Sequence, residues 1–417
     1  MEFALIILLA VFLLISVRQV ERFRFRIWQI MCAGAVAVII TGQISLPDAA
    51  RSINVDVMVF LFGMFIVGEA LAESGYLVAF SQHLVSHCRN FWQFIVLFVF
   101  SMAFLAAFLM NDTMAIIGTP LALYLGRRLG ISVKMLLVSL CFAITTGSVM
   151  SPIGNPQNLL IATEGGYANP FGTFLLYLGI PTIISLVLLV LCIRFFYPQD
   201  CGKSICMTEE VNIKGGQLPD PELARALKIS LFLIASCIIL QVLLTLHPFG
   251  LVCDVPLPVI AIAGAAPVIL FSGKRVKIIK KIDWSTLIFF ISMFVLMAAV
   301  FNTGFFQAAV PAAAASSVFL LFSTSLIISQ FISNVPFVAL FNPLLQQAGM
   351  SVSETMALVA GSTLAGNLTI LGAASNVIVI QNAERQGETV TFLEFIRLGI
   401  PFTLLTGVIF VVWLSIV

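Results

Sequence analysis

The chain has 417 residues, of which 60% are hydrophobic and only 10% charged, and its mean hydropathy is +1.12. That composition excludes an ordinary soluble domain, and a net charge of +2 with no basic face interleaved with aromatics excludes a nucleic-acid partner. Apolar runs of about 20 residues, the length that crosses a hydrocarbon core, recur from end to end. The chain therefore reads as an all-α polytopic membrane protein, since lipid cannot satisfy open backbone.

In chain order, spans are predicted near 2–17, 27–46 and 55–72. The first opens apolar at Phe3 without a preceding basic stretch, so it reads as a retained span and not a cleaved leader. An amphipathic stretch with His83, His87 and Arg89 follows. The i, i+4 histidines have no third ligand nearby and read as a solvated face. Segment 91–126 is interrupted at Met110-Asn111-Asp112-Thr113 and has basic flanks at both ends, Arg89 before it and Arg127, Arg128 and Lys134 after it. Basic residues favour the cytoplasmic side, so the segment reads as a re-entrant hairpin. Its first arm, Phe91 to Met110, would be ~30 Å long at 1.5 Å per residue, enough to cross the whole bilayer. Segment 133–163 is broken at Gly154-Asn155-Pro156-Gln157-Asn158, and a span at 172–197 completes a first unit, 1–197.

Segment 198–222 is the longest polar stretch and reads as a cytoplasmic linker. Its Cys201 and Cys206 are too weak a pattern for a metal, and the eight cysteines as a whole read as small buried hydrophobes. The second unit, 223–417, carries spans near 226–246, 254–272 and 285–302, with His247 in a short outer loop. A mirror hairpin at 316–346 has its tip at Ser333-Asn334-Val335-Pro336, and a broken helix at 355–382 is interrupted at Gly372-Ala373-Ala374-Ser375-Asn376. The last span is 391–417. Both units end in Leu-Gly-Ile-Pro, at Leu178 to Pro181 and Leu398 to Pro401. Five crossings and one hairpin per unit make two inverted repeats with discontinuous helices at the midplane. Both termini then face outward, and every Lys and Arg except Arg51 is cytoplasmic. Short loops suggest a bacterial inner membrane.

Paired breaks at corresponding positions of two apolar repeats point to the binding site of a secondary transporter. Half-helix N-termini suit an anion, and unwound carbonyls suit a small cation. Asn111, Thr113 and Asn334 are the first candidates, with Asn155, Gln157, Asn158, Ser375 and Asn376 as a second set. Gly154 and Gly372 are expected to permit the unwinding, and Pro156 and Pro336 to enforce it. The alternative is a set of kinks whose polar residues join helices. Asp112 has Val335 opposite it in the second tip. An acid at membrane depth is a functional hypothesis by default, here a Na⁺ ligand or proton-coupling group. A hydrated tip or a local helix cap is the plainer alternative. Glu69 suits an inner vestibule or a solvated helix end equally. No Walker lysine loop, zinc-protease motif or nucleophile elbow occurs, so neither ATP-driven transport nor an enzyme is indicated.

At these residues the chain resembles the ion transporter superfamily, within it the branch of arsenite efflux permeases, D-type Na⁺/H⁺ antiporters and the P-protein. The carriers are Glu73-Ser74-Gly75, Asn111-Asp112 with Pro120, Ser151-Pro152-Ile153-Gly154 with Asn155 to Asn158, Asn334-Val335-Pro336, and Gly372 to Asn376. The resemblance implies a scaffold and a transport domain, substrate between the hairpin tips, a homodimer, and vertical movement of the transport domain. Relatives carry dicarboxylates, citrate, sulfate, arsenite or Na⁺. The dicarboxylate and citrate branch resembles Ser-Asn-Thr at both tips, from which this chain departs. Its second break is closer to the P-protein than to the arsenite permeases. No cysteine at the tips or breaks offers arsenic a thiolate. The expected function is transport of a small anion or oxyanion coupled to H⁺ or Na⁺, with no other cofactor. The rivals are a Na⁺/H⁺ antiporter, an arsenite or antimonite efflux permease, and a passive channel or scaffold.

Overall fold

A computed structural model describes residues 2–17, 26–76, 86, 88, 90–200, 220–246, 255–305 and 317–417. His83, His87, Arg89, His247, Cys201, Cys206 and most of the linker lie outside these residues. No strand occurs among the described residues. In the first half the helices are α1 (Glu2–Val17), α2 (Ile27–Ile40), α3 (Leu46–Arg51), α4 (Val55–Glu73), α5 (Phe91–Leu109), α6 (Asn111–Leu129), α7 (Val133–Ser148), α8 (Pro156–Glu164) and α9 (Pro170–Phe196). In the second they are α10 (Pro221–Leu246), α11 (Leu257–Phe271), α12 (Arg275–Lys281), α13 (Trp284–Phe301), α14 (Val318–Ile332), α15 (Asn334–Gln347), α16 (Val352–Leu368), α17 (Ala374–Glu384) and α18 (Phe392–Leu414).

Local chemistry sets these boundaries. Asn54, Asn90, Ser132 and Asn169 each accept a first-turn N–H through the side chain, at the starts of α4, α5, α7 and α9. Ser351 and Thr391 form capping boxes with Glu354 and Glu394 at α16 and α18. The expected span 27–46 ends early. Gly42 turns at φ 70°, and Ser45 then caps the separate helix α3, which has Pro47 in its first turn. The basic helix α12 was not anticipated. Its Lys277 and Lys281 both pair with Glu73 at the end of α4, Lys277 at 2.6 Å.

Six of the described helices are long and apolar enough to cross a membrane: α4, α5, α9, residues 221–243 of α10, α13 and α18. α5 is among them, so the first arm of the expected hairpin has full spanning length. Large apolar side chains stand exposed along α9 and α18, among them Leu176, Leu191, Leu404 and Val408. A lipid-facing surface accounts for them, and a water-facing one does not.

The packing falls into two groups. Helices α1, α2, α4, α10, α11 and α13 associate mainly with one another, and α5 to α9 with α14 to α18. In the first group the partners exchange between halves, α4 packing on α11 as α13 packs on α2, while in the second the matching pairs stay within a half, α5 on α7 and α14 on α16. Across the second group, α6 packs on α17 and α15 on α8. Broken elements from both halves thereby meet.

Candidate functional site

The tips are single residues. Met110 alone separates α5 from α6, and Ser333 alone separates α14 from α15. Their backbones nearly coincide, at φ 69°, ψ 143° and φ 71°, ψ 143°. Among the described residues, no other non-glycine residue has positive φ. Such a conformation costs of order 1–3 kcal/mol and persists only when its surroundings hold it. One such hold is the Asn111 N–H, which donates to the carbonyl of Gly154 at 2.8 Å and docks the first tip onto the first break. The tip was expected to include Asn111, Asp112 and Thr113. In the structure they form the first turn of α6, as Asn334, Val335 and Pro336 do for α15. First-turn N–H groups have no intrahelical acceptor, so each tip presents donors and a positive helix end.

The breaks are short. α7 stops at Ser148 and α8 starts at Pro156, while a 3₁₀ turn over Ile370–Gly372 lies between α16 and α17. Gly154 and Gly372 do not serve the role expected from sequence. Neither is at positive φ. A Cβ on Gly154 would run into the Ser148 carbonyl, and one on Gly372 into the Ala365 carbonyl. The glycines are therefore set by close approach of the backbone. Nor do the prolines enforce a break. Pro156 occupies the start of α8, and Pro336 the first turn of α15, where a missing N–H costs nothing.

Around these breaks the candidates separate into two kinds. Asn158 is consumed by the fold. Its amide donates to the carbonyls of Ser148, Val149 and Ser151 at 3.0–3.2 Å, and its oxygen accepts from Thr363 at 3.1 Å. Asn155 and Gln157 both donate to the same Thr363 hydroxyl at 3.3 Å. Thr363 sits on α16, so these bonds tie the first break to the second half. Asn376 donates to the Gly366 carbonyl at 2.5 Å, while its own oxygen has no donor. Asn111 donates to Ser375 at 3.5 Å, a long bond, and its oxygen also has none. The same holds for the oxygens of Asn334 and Asn367 and for the hydroxyl of Thr145. All five residues are buried.

Thr145 and Thr363 stand at the same spacing before Asn158 and Asn376 respectively. Thr363 bonds to Asn158, while Thr145 and the Asn376 oxygen both stand open. One half of the site is closed on itself, and the other leaves acceptors available. Thr145, Thr363, Asn367 and Gln330 escaped the sequence reading. Gln330 bridges the Ala365 carbonyl at 2.7 Å and the Thr369 hydroxyl at 2.9 Å. The Thr145/Thr363 spacing was the available signal.

Asp112 is partly exposed beside buried Asn111 and Thr113. The Thr113 methyl fills the space left by Gly68, which presses the first tip against α4. Glu69 is half-buried one residue on. Glu73 belongs to the two lysines of α12. Ser74 and Gly75 close α4, the hydroxyl donating to Leu71 O at 2.7 Å and Gly75 turning at φ 74°.

Known proteins are similar to this chain in sequence or in fold. A family model described as citrate transporter matches residues 9–353. An uncharacterized transporter of Mycobacterium tuberculosis is 26% identical over 96% of this chain and 94% of its own length. The P protein of Sus scrofa is 24% identical over 95% of this chain and 57% of its own. A solved structure, the YdaH transporter of Alcanivorax borkumensis, superposes with a TM-score of 0.56 at 18% identity, covering 87% of this chain and 84% of that one. The fold is shared with that transporter.

Proposed function

We propose that this chain, a membrane transporter that belongs to the citrate transporter family, is a secondary active carrier of a small anion or oxyanion coupled to Na⁺ or H⁺. The observation that carries this is the set of buried acceptors without donors: the oxygens of Asn111, Asn334, Asn367 and Asn376 and the Thr145 hydroxyl. Leaving such an atom unpaired costs ~1–3 kcal/mol. A bound Na⁺, hydronium or water removes that cost. The first turns of α6 and α15 supply N–H groups and positive helix ends for the anion. Cation and anion sites beside each other make the binding of one favour the other, which is symport.

Asp112 is the coupling group, since it is the ionisable residue in that first turn. The two packing groups act as scaffold and transport domain, and the exchanged pairings between halves support an inverted repeat with vertical movement of the transport domain. A homodimer in the inner membrane, with both termini outside, completes the proposal. Citrate is the first anion to try, because of the family match.

The second reading, a Na⁺/H⁺ antiporter, is favoured by one fact: four of the five unpaired groups named above are amide oxygens, which only accept and so suit a cation. Vesicles containing the protein separate the two. Uptake of citrate, sulfate or arsenite that needs Na⁺ or an inward proton gradient supports the coupled anion carrier. Cation exchange without uptake of any anion supports the antiporter. Asp112→Asn is expected to abolish coupled flux while the protein stays folded. Flux that keeps its Na⁺ or pH dependence in this variant overturns the coupling role.

A further inference from the structure

Away from the tips, a cavity of about 170 Å³ opens where the start of α7, the end of α9 and the start of α18 meet. Lys134 and Arg397 bring two cations to it, Glu394 one carboxylate, and Ser132 a hydroxyl, while Phe196 and Leu398 form an apolar wall. Glu394 is held in place by its own helix. One carboxylate oxygen takes the Thr391 N–H and hydroxyl at 2.8 and 3.0 Å, and the other takes Lys134 at 2.7 Å. That leaves a net positive lining, with further Lys134 N–H groups and the Arg397 fork able to receive an anion. Arg127 and Arg128, at the end of α6, and Arg194, near the end of α9, belong to this same end of the molecule.

The apolar wall continues into exposed hydrophobic side chains down both helices, Phe195 and Leu191 on α9, Ile400 and Leu404 on α18. A ligand with a charged head and a long apolar tail fits this sequence of surfaces, head at the cations and tail along the α9–α18 seam. We propose that the cavity is a phosphoryl-anion site occupied by the headgroup of an anionic phospholipid. It joins α7, which carries the first break, to the terminal helices of both halves, so an occupied site ties those three together.

The test is retention of lipid by the purified full-length protein, followed by native mass spectrometry after exposure to phosphatidylglycerol or phosphatidylcholine. Wild type is expected to retain phosphatidylglycerol in preference. Arg397→Gln should lower that retention about fivefold, the effect of one basic residue at a membrane surface. Lys134→Gln serves as a second variant should the first fail to fold, and Arg51→Gln, exposed and outside the cavity, should retain lipid as wild type does. Equal retention of the two lipids by wild type, or undiminished phosphatidylglycerol on both cavity variants, overturns the lipid assignment. Inorganic phosphate is the second arm. A thermal shift with phosphate that Arg397→Gln loses, without lipid preference, keeps the phosphoryl site and assigns it to a soluble anion. No response to either probe removes the site altogether.

Discussion

Met110 and Ser333 hold nearly one backbone conformation at the tips of two different halves, φ 69° and 71° with ψ 143° in both. The cost of that geometry to a residue with a Cβ is of order 1–3 kcal/mol. Ser333→Gly removes it at a partly exposed position, against about 1 kcal/mol of added unfolded-state freedom. Thermal melts should show this variant as stable as wild type or up to about 2 kcal/mol more stable. Met110→Gly should do the opposite, because the Met110 side chain is fully buried and its removal leaves a cavity worth ~2–5 kcal/mol. If Ser333→Gly destabilises as strongly as Met110→Gly, the backbone is not what holds this tip.

Asn158 and Asn376 each lie in the first turn of the helix that follows a break, and should behave differently. Asn158→Ala strips donors from three backbone carbonyls and an acceptor from Thr363, so it should cost several kcal/mol, at ~1–3 per unsatisfied group. Asn376→Ala loses one bond, to Gly366, and should cost ~1–2 kcal/mol. It should, however, abolish the thermal shift given by the coupling ion. Melts of both variants with and without Na⁺ separate these outcomes. Equal losses of stability with the Na⁺ shift intact in Asn376→Ala would remove that oxygen from the ion site.

Gly154→Ala and Gly372→Ala test whether the breaks need room or conformational freedom. Room is the structural reason, with a carbonyl waiting where each Cβ would go. Both variants should be destabilised by at least ~1–3 kcal/mol, the usual cost of overpacking. Thermal melts or expression yields that match wild type would show that the backbone at the breaks moves aside freely.

Much of this is legible in the sequence because the helix ends and breaks are marked by polar residues within an apolar background. Asn111 and Asn334, or Gly154 and Gly372, stand out against Leu, Val and Phe, so the helix ends and breaks fell within a few residues of their positions. What escaped was long-range or compositionally quiet. Thr363 and Asn367 lie inside a helix and become significant only because α16 crosses α7, where Thr363 accepts from Asn155 and Asn367 donates to Thr146 at 3.0 Å. The glycines were noticed for the wrong reason, since sequence reveals a missing Cβ but not the carbonyl beside it. The helix α12 was missed because a seven-residue basic stretch carries little apolar periodicity.

Lys274 lies 3.1 Å from Asp220, which also accepts first-turn N–H groups of α10 from Glu222 and Leu223. The lysine holds the Asp220 carboxyl below the usual carboxylate range. A group lowered in the folded state adds stability above its unfolded pKa, near 3.9 for Asp, and loses it as pH falls through the lower folded value. Asp220→Asn should therefore be less stable than wild type at pH 7, with the gap closing below about pH 4. Melts across that range at low salt give the comparison. A gap that persists unchanged at pH 3 shows that the loss does not come from the charge, since Asn keeps the oxygen that caps α10.

Glu164 closes the far end of the broken helices. Its carboxylate accepts from Asn342 at 3.0 Å, and its backbone carbonyl accepts from Gln346 at 2.9 Å. These bonds fasten α8 of the first half to α15 of the second. At their other ends those two helices carry Asn155 to Asn158 and Asn334, so the fastening sets the distance between the first break and the second tip. Glu164→Ala removes the acceptor of an asparagine that is fully buried and whose own oxygen already lacks a donor. The loss should be ~1–3 kcal/mol of stability. Glu164→Gln keeps a carbonyl for Asn342 and should lose less. Because neither variant touches the tips, the functional effect should appear as a raised KM for flux with the maximal rate less affected. A lowered maximal rate at unchanged KM would place Glu164 in the movement of the helices and not in the spacing of the site.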